Sequence, residues 1–545
     1  MRFPILLLLL ITAAHASSQD HHLPDTASTK QGMVVTCQSL AGQIGIEVLR
    51  KGGNAADAYV ATTIAEYVTA FGYTSLSGPI GLLYYDSNAN SSLYLNAGLN
   101  KVSDSKAQFD KAHPIAGRSY VIGGAAQGLE SLYQRFGDKH LSFAELIAPS
   151  VKLAREGFSI YPAFAGSLRA RAALFKSSPE WNKVFTKDGT PLKSEDLLIQ
   201  AELANTLAHY GDEGSAYLFK GQFAKDLVAA IRQHGGGLTL DDLERYKISW
   251  SPPLETTYRN FKVVTSSYRS YGGLELLLNL KTIENFKEIA TKTPFSKDKD
   301  VFNLVLRAHL FGIREMIPLM KFASRIEDLD KMKEFVNGSV GGRLWKNVAD
   351  LTIPAPYVQA TGSHSCNTIV IDKFGNIATG THTINSMPWG DYGLVVDGVS
   401  LNSAYKVAGD APPGERALDS LNPTLVFKGD KPVIAAGFFS SALHPAAFQI
   451  ILNLLDYNMP PQQAIAAPRF GAVTFDVPGR HWNILLDSRY PKSWVKDFSK
   501  KGISFSQPTG FNDTGMGMVI RIDTKTAIRT GSPTDLLSDA VVLTE

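Results

Sequence analysis

The sequence predicts an α/β protein that folds as one large body or as about two to four closely joined domains. A chain of 545 residues, of which 44% are apolar, is long enough to bury a substantial core. From Gly42 onward, stretches with the apolar spacing of helices alternate with stretches typical of strands. No long low-complexity linker separates these stretches, and no internal repeat is visible.

Composition excludes several classes of protein. The 54 basic and 51 acidic side chains leave a formal charge of +3, so bulk charge gives no reason to expect nucleic acid or an anionic membrane as a partner. Two cysteines are too few for a disulfide scaffold or a four-thiolate zinc site. Cys37 and Cys366 lie far apart in the chain, and the sequence leaves open whether they are bridged or free.

The N-terminus has the pattern of a secretory signal peptide. Arg2 precedes an apolar run over residues 3–14, and Ala14-His15-Ala16 supplies small residues at a cleavage site. This run is too short to cross a bilayer as a helix, which takes about 20 residues. We expect residues 1–16 to be removed, no membrane span afterwards, and a secreted protein (periplasmic in a bacterium); an uncleaved anchor is the alternative. The polar residues 17–32 are expected to form a loose leader.

The N-terminal half is predicted to alternate helices and strands. Apolar spacing indicates helices over residues 41–49, 54–67, 143–157, 222–233 and 240–246. The first helix is expected to end at a basic turn followed by Gly52-Gly53, and Thr239 is a suitable cap for the last. Strands are predicted at 82–85 and 93–95, and residues 275–350 are expected to be largely helical, with their lysines on a solvated face.

A β-hairpin is the main prediction in the C-terminal part. Residues 368–371 and 377–385 have the composition of strands, and Lys373-Phe374-Gly375-Asn376 has that of a turn. Pairing about the turn centre places residues opposite each other when their numbers sum to about 749, so Ser365 is expected beside Thr383 to Asn385. Helices are predicted at 446–455 and, after Pro460-Pro461, up to residue 467.

The familiar catalytic motifs are missing. The sequence has no G-x-S-x-G elbow, H-E-x-x-H zinc helix, phosphate-binding loop or dinucleotide fingerprint, and its scattered histidines justify no metal site. What remains is a run of small hydroxyl residues from Thr361 into the predicted hairpin. A hydroxyl made N-terminal by a chain cut can act as a nucleophile, with the freed α-amine, whose pKa is about 7.7–8.0, as its base. The alternative is that these residues only cap a strand.

Several segments resemble the γ-glutamyltranspeptidase (glutathione hydrolase) family, in the same order over most of the chain. They are Arg50-Lys-Gly-Gly-Asn-Ala-Ala-Asp-Ala58, Ala154-Arg-Glu-Gly-Phe158, residues 236–243 with Tyr246, Tyr258-Arg259 with Gly272-Gly273, and residues 452–470, which end in Ala467-Pro-Arg-Phe470. Each segment alone is a modest match. Their shared order and spacing identify the chain as a divergent member of the family.

The resemblance implies an N-terminal-nucleophile hydrolase with a four-layer α-β-β-α core and without metal or cofactor. Such a proenzyme cuts itself into a large and a small chain that stay together. The family cuts before a Thr that lies seven residues ahead of the Asp of an Asp-x-x-Gly-Asn turn, and counting back from Asp372 gives Ser365. We therefore expect a heterodimer of residues 17–364 and 365–545, with Ser365 as nucleophile. Serine lacks the methyl group that fixes χ1 in threonine; Ser363 is the weaker alternative.

Other site residues are implied position by position. Thr383 and Asn385 match the family's Thr-x-Asn and are expected to support the nucleophile and its α-amine. Asp419-Ser420 stands where the family has the Ser-Ser of a substrate-binding loop. Ser440-Ser441 replaces a Gly-Gly that forms the oxyanion hole, where backbone N–H groups still serve as donors.

The departures from the family lie where it holds the amino-acid end of a γ-glutamyl group. The family's carboxylate-binding Arg has no equivalent in residues 95–104, where Lys101 offers a point charge instead of a bidentate fork. Residues 401–407 contain no carboxylate for the substrate α-amine, which leaves Asp397 or Asp419 as substitutes.

Three functions follow from the resemblance. The first is a secreted, self-processing enzyme that hydrolyses or transfers γ-glutamyl groups of small-molecule amides. The second is an amidohydrolase with the same nucleophile but a different acyl group, which the missing clamps favour. The third is a non-catalytic secreted homologue, which Thr383 and Asn385 beside a hydroxyl argue against.

Overall fold

The computed structural model describes residues 23–286, 293–321, 328–337, 357–358, 365–409, 411–476, 481–500, 503–507 and 514–545. The predicted signal peptide (residues 1–16), Ser363 and the residues directly before Ser365 lie outside this part of the chain. The described residues form a layered α/β body.

The helices, numbered in chain order, are α1 Ser39–Arg50, α2 Ala55–Thr69, α3 Ala125–Phe136, α4 Phe143–Glu156, α5 Pro162–Ala170, α6 Ala172–Ser177, α7 Pro179–Phe185, α8 Ala201–Glu213, α9 Ser215–Phe219, α10 Gln222–Gln233, α11 Leu240–Arg245, α12 Tyr271–Ile283, α13 Lys299–Lys321, α14 Leu329–Asn337, α15 Tyr405–Ala408, α16 Leu443–Leu455, α17 Pro461–Ala466 and α18 Lys492–Ser499. Short 3-10 helices cover Ser105–Ala107 and Ala116–Ser119.

The strands are β1 Ala27–Thr29, β2 Met33–Thr36, β3 Ile80–Asp86, β4 Ser91–Ala97, β5 Phe158–Ser159, β6 Thr186–Lys187, β7 Thr190–Pro191, β8 Leu197–Leu198, β9 Ser249–Ser251, β10 Leu254–Tyr258, β11 Phe261–Thr265, β12 Tyr357–Val358, β13 Ser365–Ile371, β14 Ile377–Thr383, β15 Val395–Val396, β16 Val399–Ser400, β17 Thr424–Lys428, β18 Lys431–Phe439, β19 Phe470–Asp476, β20 His481–Leu486, β21 Ile503–Ser506, β22 Met516–Ile522, β23 Arg529–Ser532 and β24 Val541–Thr544.

Two seven-stranded antiparallel sheets form the centre. The first has the order β24-β2-β13-β14-β3-β4-β9 and the second has the order β1-β23-β22-β18-β17-β11-β10. A smaller sheet, β12-β19-β20-β21, lies outside this pair. We call the two large sheets the nucleophile sheet and the second sheet.

Strand alternation sorts the apolar side chains into three layers. On β13, Ile369 and Ile371 join the cluster between the two sheets, whereas Val370 joins the cluster under α1 and α2. On β17, Leu425 faces the same space between the sheets and Val426 packs with α12, α13 and α16 on the far side. Helices therefore cover the outer face of each sheet, and the expected four-layer α-β-β-α arrangement is confirmed.

Most predicted elements are found within one or two residues of their expected bounds, and the N-terminal leader is the exception. Residues 17–32 were expected to be loose, but Ala27–Thr29 forms an edge strand paired with Arg529–Gly531. This strand has no local sequence signal, because its partner lies near the other end of the chain. Among the described residues, no helix is both long and apolar enough to cross a membrane.

Candidate active site

Ser365 is the first residue of β13 and lies directly opposite Thr383 on β14. The predicted hairpin is thus confirmed, with a register sum of 748. Asp372 fixes this register at the turn, because its carboxylate accepts hydrogen bonds from the backbone N–H groups of Phe374 (2.9 Å) and Asn376 (3.0 Å). It also accepts one from the N–H of Ala55 (3.0 Å), which ties the turn to the N-terminus of α2.

Thr383 and Asn385 form a short turn beside Ser365. Thr383 is 1% exposed, and its hydroxyl accepts a 2.8 Å hydrogen bond from the backbone N–H of Asn385. Asn385 has a φ of +56°, a conformation that Asn tolerates better than most residues. A Cβ on Gly78 would overlap the carbonyl oxygen of Thr383, so only glycine lets the 75–78 loop pack this closely.

The loop after β18 lies across from this turn, on the facing sheet. The hydroxyl of Thr379 donates to the carbonyl of Ala436 (3.0 Å), and that of Thr381 donates to the carbonyl of Phe438 (3.2 Å). The same two-residue step places Ser440 at the level of Thr383. Ser440 and Ser441 come directly after β18. They therefore lie near the edge of the nucleophile sheet where Ser365 is found.

Ser440 has an unusual backbone. It is 5% exposed, has a φ of +83°, and its hydroxyl accepts the N–H of Ala442 at 3.3 Å. A positive φ in a non-glycine residue stores strain, which is typical of functional turns. Helix α16 begins two residues after Ser441, so the N–H groups of this turn sit at the positive end of a helix and are suited to stabilising an oxyanion.

Asp419 is a buried carboxylate in the segment that precedes β17 of the second sheet. It is 5% exposed and accepts hydrogen bonds from the side chains of Asn96 (3.0 Å) and Tyr94 (3.3 Å) and from the N–H of Leu421 (3.0 Å). Burial raises the pKa of Asp419 to about 6, although Arg416 and the hydrogen bonds oppose the shift. This carboxylate therefore changes charge near pH 6.

Arg416 is a cation that sequence reasoning missed. Its guanidinium donates to the side-chain oxygens of Asn96 (2.7 Å) and Asn100 (2.5 Å), and to the carbonyl of Lys247 (2.5 Å). Arg416 thus brings a guanidinium to residues 95–104, the stretch that lacks its own Arg. The available signal was its position three residues before Asp419 in the sequence.

Lys101, which follows Asn100 in the sequence, lines a small pocket. Its ammonium donates to the carbonyl of Gly409 at 2.7 Å, and the pocket walls include Arg118 and the stacked rings of Phe109 and Tyr405, whose centroids are 3.6 Å apart. Two cations and two aromatic rings suit a small anionic or amphipathic ligand.

Asn402 connects this pocket to the Thr383 turn. Its side-chain amide donates to the carbonyls of Val121, in the pocket wall, and of Ser77, at 2.7 Å each. Ser77 belongs to the same loop as Gly78, which packs on Thr383. The pocket wall and the turn beside Ser365 are therefore held by one hydrogen-bonded loop.

The remaining two residues differ in their placement. Ser420 adjoins Asp419, and its carbonyl packs on Gly272 at the start of α12. Asp397 lies in the exposed turn between β15 and β16, where its carbonyl accepts from the hydroxyl of Thr206 on α8 at 2.7 Å. Of the two carboxylates that could replace the family's acidic residue, Asp419 is therefore the one that lies beside Ser420.

The site residues share one edge of the nucleophile sheet. Ser365 opens β13, Thr383 closes β14, the N–H of Thr383 donates to the carbonyl of Pro79 before β3 (3.4 Å), and Ile80 pairs with Ala97 at the end of β4. Three strand spacings of about 4.8 Å separate β13 from β4, roughly 14 Å in all. Asn96, which bonds both Asp419 and Arg416, therefore lies at the same edge as Ser365.

Comparison with known proteins agrees with this layout. Residues 41–535 match the sequence model of the family described as Gamma-glutamyltranspeptidase. The chain is 27% identical to the glutathione hydrolase proenzyme of Bacillus subtilis over 91% of this chain and 88% of that protein. It is 25% identical to the acylase ACY 1 proenzyme of a Pseudomonas species over 81% of this chain and 83% of that protein.

A solved structure shows the same fold. The cephalosporin acylase of Bacillus halodurans superposes with a TM-score of 0.80 at 20% sequence identity, over 98% of this chain and 99% of that one. The N-terminal-nucleophile hydrolase fold expected from the resemblance is thereby confirmed. The match to the family model covers most of the chain and includes every site residue described above. The chain therefore belongs to the gamma-glutamyltranspeptidase family.

Proposed function

We propose that the protein is a self-processing amidohydrolase that uses Ser365 as an N-terminal nucleophile on γ-glutamyl amides. The observation that carries this proposal is the position of Ser365, at the start of β13 and in register with Thr383. A residue at the start of a strand exposes its α-amine beside its own hydroxyl once the preceding peptide bond is cut.

Processing requires one bond to break. In the proposed step, the Ser365 hydroxyl attacks the carbonyl carbon of His364 and the amide becomes an ester. The C–N bond breaks in this step, which frees the Ser365 α-amine. One water molecule then hydrolyses the ester, which releases the carboxylate of His364 and restores the Ser365 hydroxyl. The products are residues 17–364 and 365–545 once an exported precursor has lost residues 1–16.

Turnover repeats the same chemistry on a substrate. The α-amine accepts the proton of the Ser365 hydroxyl as the oxygen attacks the substrate carbonyl. Backbone N–H groups at Ser440 and Ser441 stabilise the oxyanion, and the leaving amine takes up the proton. Water, or an acceptor amine, then removes the acyl group from the serine. The hydroxyl of Thr383 holds the neighbouring turn in place through Asn385.

Asp419, Lys101 and Arg416 are the groups that would bind the amino-acid end of the substrate. Ionised Asp419 is suited to the α-amine of a γ-glutamyl group, and Lys101 or Arg416 to its α-carboxylate. These groups stand in for the two charged clamps that the sequence lacks at the family's usual positions.

A second candidate is an amidohydrolase for another acyl group. The hydrogen bonds that the two cations already make favour this candidate. Arg416 donates to Asn96, Asn100 and Lys247, and Lys101 donates to Gly409. An acyl group without an α-amine and α-carboxylate would not need those bonds to break. The relatives named acylases at about a quarter identity agree with this candidate.

The test combines a gel with matched substrates. Denaturing electrophoresis and N-terminal sequencing of the purified protein should show two fragments, the smaller beginning at Ser365. γ-Glutamyl and glutaryl p-nitroanilides differ only in the substrate α-amine, so a preference for the first supports the γ-glutamyl proposal. Preference for the glutaryl compound, or for a butyryl p-nitroanilide that lacks both charges, supports the second candidate. A full-length band in both wild type and Ser365→Ala, without activity, would contradict both.

A further inference from the structure

The two cysteines of the chain meet in the core although they are far apart in sequence. Cys37 follows β2 and Cys366 is the second residue of β13, on the adjacent strand. Both are buried, at 5% and 3% exposure, and both are present as free thiols in this structure. Their sulfur atoms lie within 4.8 Å of one another and of a carboxylate oxygen of Glu66.

The surroundings hold the two sulfurs in place. The N–H of Asn367 donates to the sulfur of Cys37 at 3.3 Å, which binds Cys37 to the residue directly after Cys366. One residue further along, the hydroxyls of Thr36 and Thr368 are 2.9 Å apart. These two contacts, at neighbouring positions along the paired strands, hold together the strands that carry the cysteines, and the two sulfur atoms lie within 4.8 Å of each other.

Glu66 is already engaged by other groups. Its carboxylate accepts the hydroxyls of Thr36 (2.6 Å) and Thr368 (3.0 Å) and the N–H of Cys37 (3.1 Å). The imidazole of His382 is a further neighbour at 2.9 Å. A carboxylate with this many partners does not require a metal ion to compensate its burial, so the sulfur pair is better explained by sulfur chemistry than by metal binding.

We propose that Cys37 and Cys366 form a disulfide that covalently joins the large and small chains immediately beside the nucleophile. Two thiols lose two protons and two electrons as the S–S bond forms, and a protein or small-molecule disulfide of the export route accepts the electrons and becomes a dithiol. The placement of the bond between two chains rests on the proposed function, whereas the bond itself does not.

Burial dictates when the bond forms. It raises the pKa of both thiols, so few thiolates exist in the folded protein and an external oxidant does not reach them. Oxidation is therefore expected during folding in an oxidising compartment, before α2 covers the pair. Once formed, the bond is shielded from reductants for the same reason.

The test is electrophoresis of the full chain, expressed with export into an oxidising compartment, with and without reductant. We expect one band of full mature size without reductant and two bands, residues 17–364 and 365–545, with it. Cys37→Ser should give two bands under both conditions. Alkylation with iodoacetamide in denaturant, followed by intact mass measurement, should add no label to the wild type before reduction and two labels after it.

The outcomes separate the two proposals. A single band with reductant means that the chain is not processed and contradicts the proposed function, while the label count still tests the disulfide. Two labels on the unreduced wild type overturn the disulfide, whether or not zinc is found bound by elemental analysis. The label count uses the wild-type protein alone, so poor folding of Cys37→Ser does not affect it.

Discussion

Thr383 lies directly opposite Ser365 on the neighbouring antiparallel strand, and its hydroxyl accepts the backbone N–H of Asn385. This pairing places a buried hydroxyl and a strained turn next to the residue proposed as nucleophile. It depends on a turn of only a few residues around Asp372, so a local feature of the sequence determines the geometry of the site.

Replacing Thr383 with Val keeps the shape of the side chain and removes the hydroxyl. The N–H of Asn385 then loses its partner, and we expect self-cleavage and turnover to slow by about 100-fold. The matched control is Thr379→Val, on the same strand, whose hydroxyl bonds to Ala436 instead. It should lose some stability but process normally, as followed by the appearance of fragments over time. Equal slowing of both variants would contradict the role of Thr383.

Ser365→Thr tests the nucleophile with a more restrained side chain. The added methyl group limits χ1, so we expect processing to persist at a similar or faster rate. Ser365→Ala should give only the unprocessed chain, with no p-nitroanilide activity. The measurement is a time course of fragment appearance for purified variants. A processed Ser365→Ala would place the nucleophile elsewhere.

The pH dependence of KM should show whether Asp419 binds the α-amine of the substrate. Its pKa is about 6, so below that pH the carboxylate is protonated and cannot hold a substrate α-amine. We expect KM for a γ-glutamyl anilide to fall as pH rises through 6. For the glutaryl anilide, which has no α-amine, KM should not show this change. Identical profiles for the two substrates would exclude Asp419 as the group that holds the amine.

His309 should weaken the fold in acid. It is fully buried, and burial lowers its pKa to about 4. In the unfolded chain the imidazole takes up a proton near pH 6.5, whereas in the folded chain it remains neutral down to about pH 4. The free energy of unfolding therefore decreases as pH falls from about 6.5 to 4. Between pH 7 and 5 this amounts to about 2 kcal/mol. Urea unfolding of wild type and His309→Asn at both pH values should show a smaller loss in the variant; equal losses would refute the assignment.

Gly78 should tolerate no side chain. A Cβ there overlaps the Thr383 carbonyl, so Gly78→Ala is expected to cost about 1–3 kcal/mol and to block processing. The control is Gly166→Ala within α5, where a Cβ meets only the end of the Arg169 side chain, at 3.9 Å. That change should be neutral or slightly stabilising. Thermal unfolding and the denaturing gel measure both effects.

Elements with local signals were predictable. The Thr239 cap, the glycine stop after α1 and the turn after Asp372 each act within a few residues, and the structure contains all of them. The hairpin register came within one residue of the observed value because the turn alone determines it. Ser440 and Ser441 were located by resemblance, although the positive φ of Ser440 was not foreseen.

Long-range contacts were not predictable. Arg416 reaches Asn96 and Asn100 from more than 300 positions away, and one sequence contains nothing that pairs them. The same holds for β1 with β23 and for Cys37 with Cys366. The last two contacts follow from the pairing of strands that are distant in sequence, which no local stretch of sequence specifies.

The strand order has a consequence for how such an enzyme can be made. In the nucleophile sheet, β24, β13 and β14 come from residues after 364, whereas β2, β3, β4 and β9 come from residues before it, and β2 sits between β24 and β13. We therefore expect that neither product of the proposed cut would fold alone, since each would expose unpaired strand edges along gaps left by the other. Mixing separately produced fragments should yield aggregates instead of enzyme, and mature molecules should never exchange partners. If the chain is cut before Ser365 as proposed, the single precursor interleaves the strands of the two future chains before the cut.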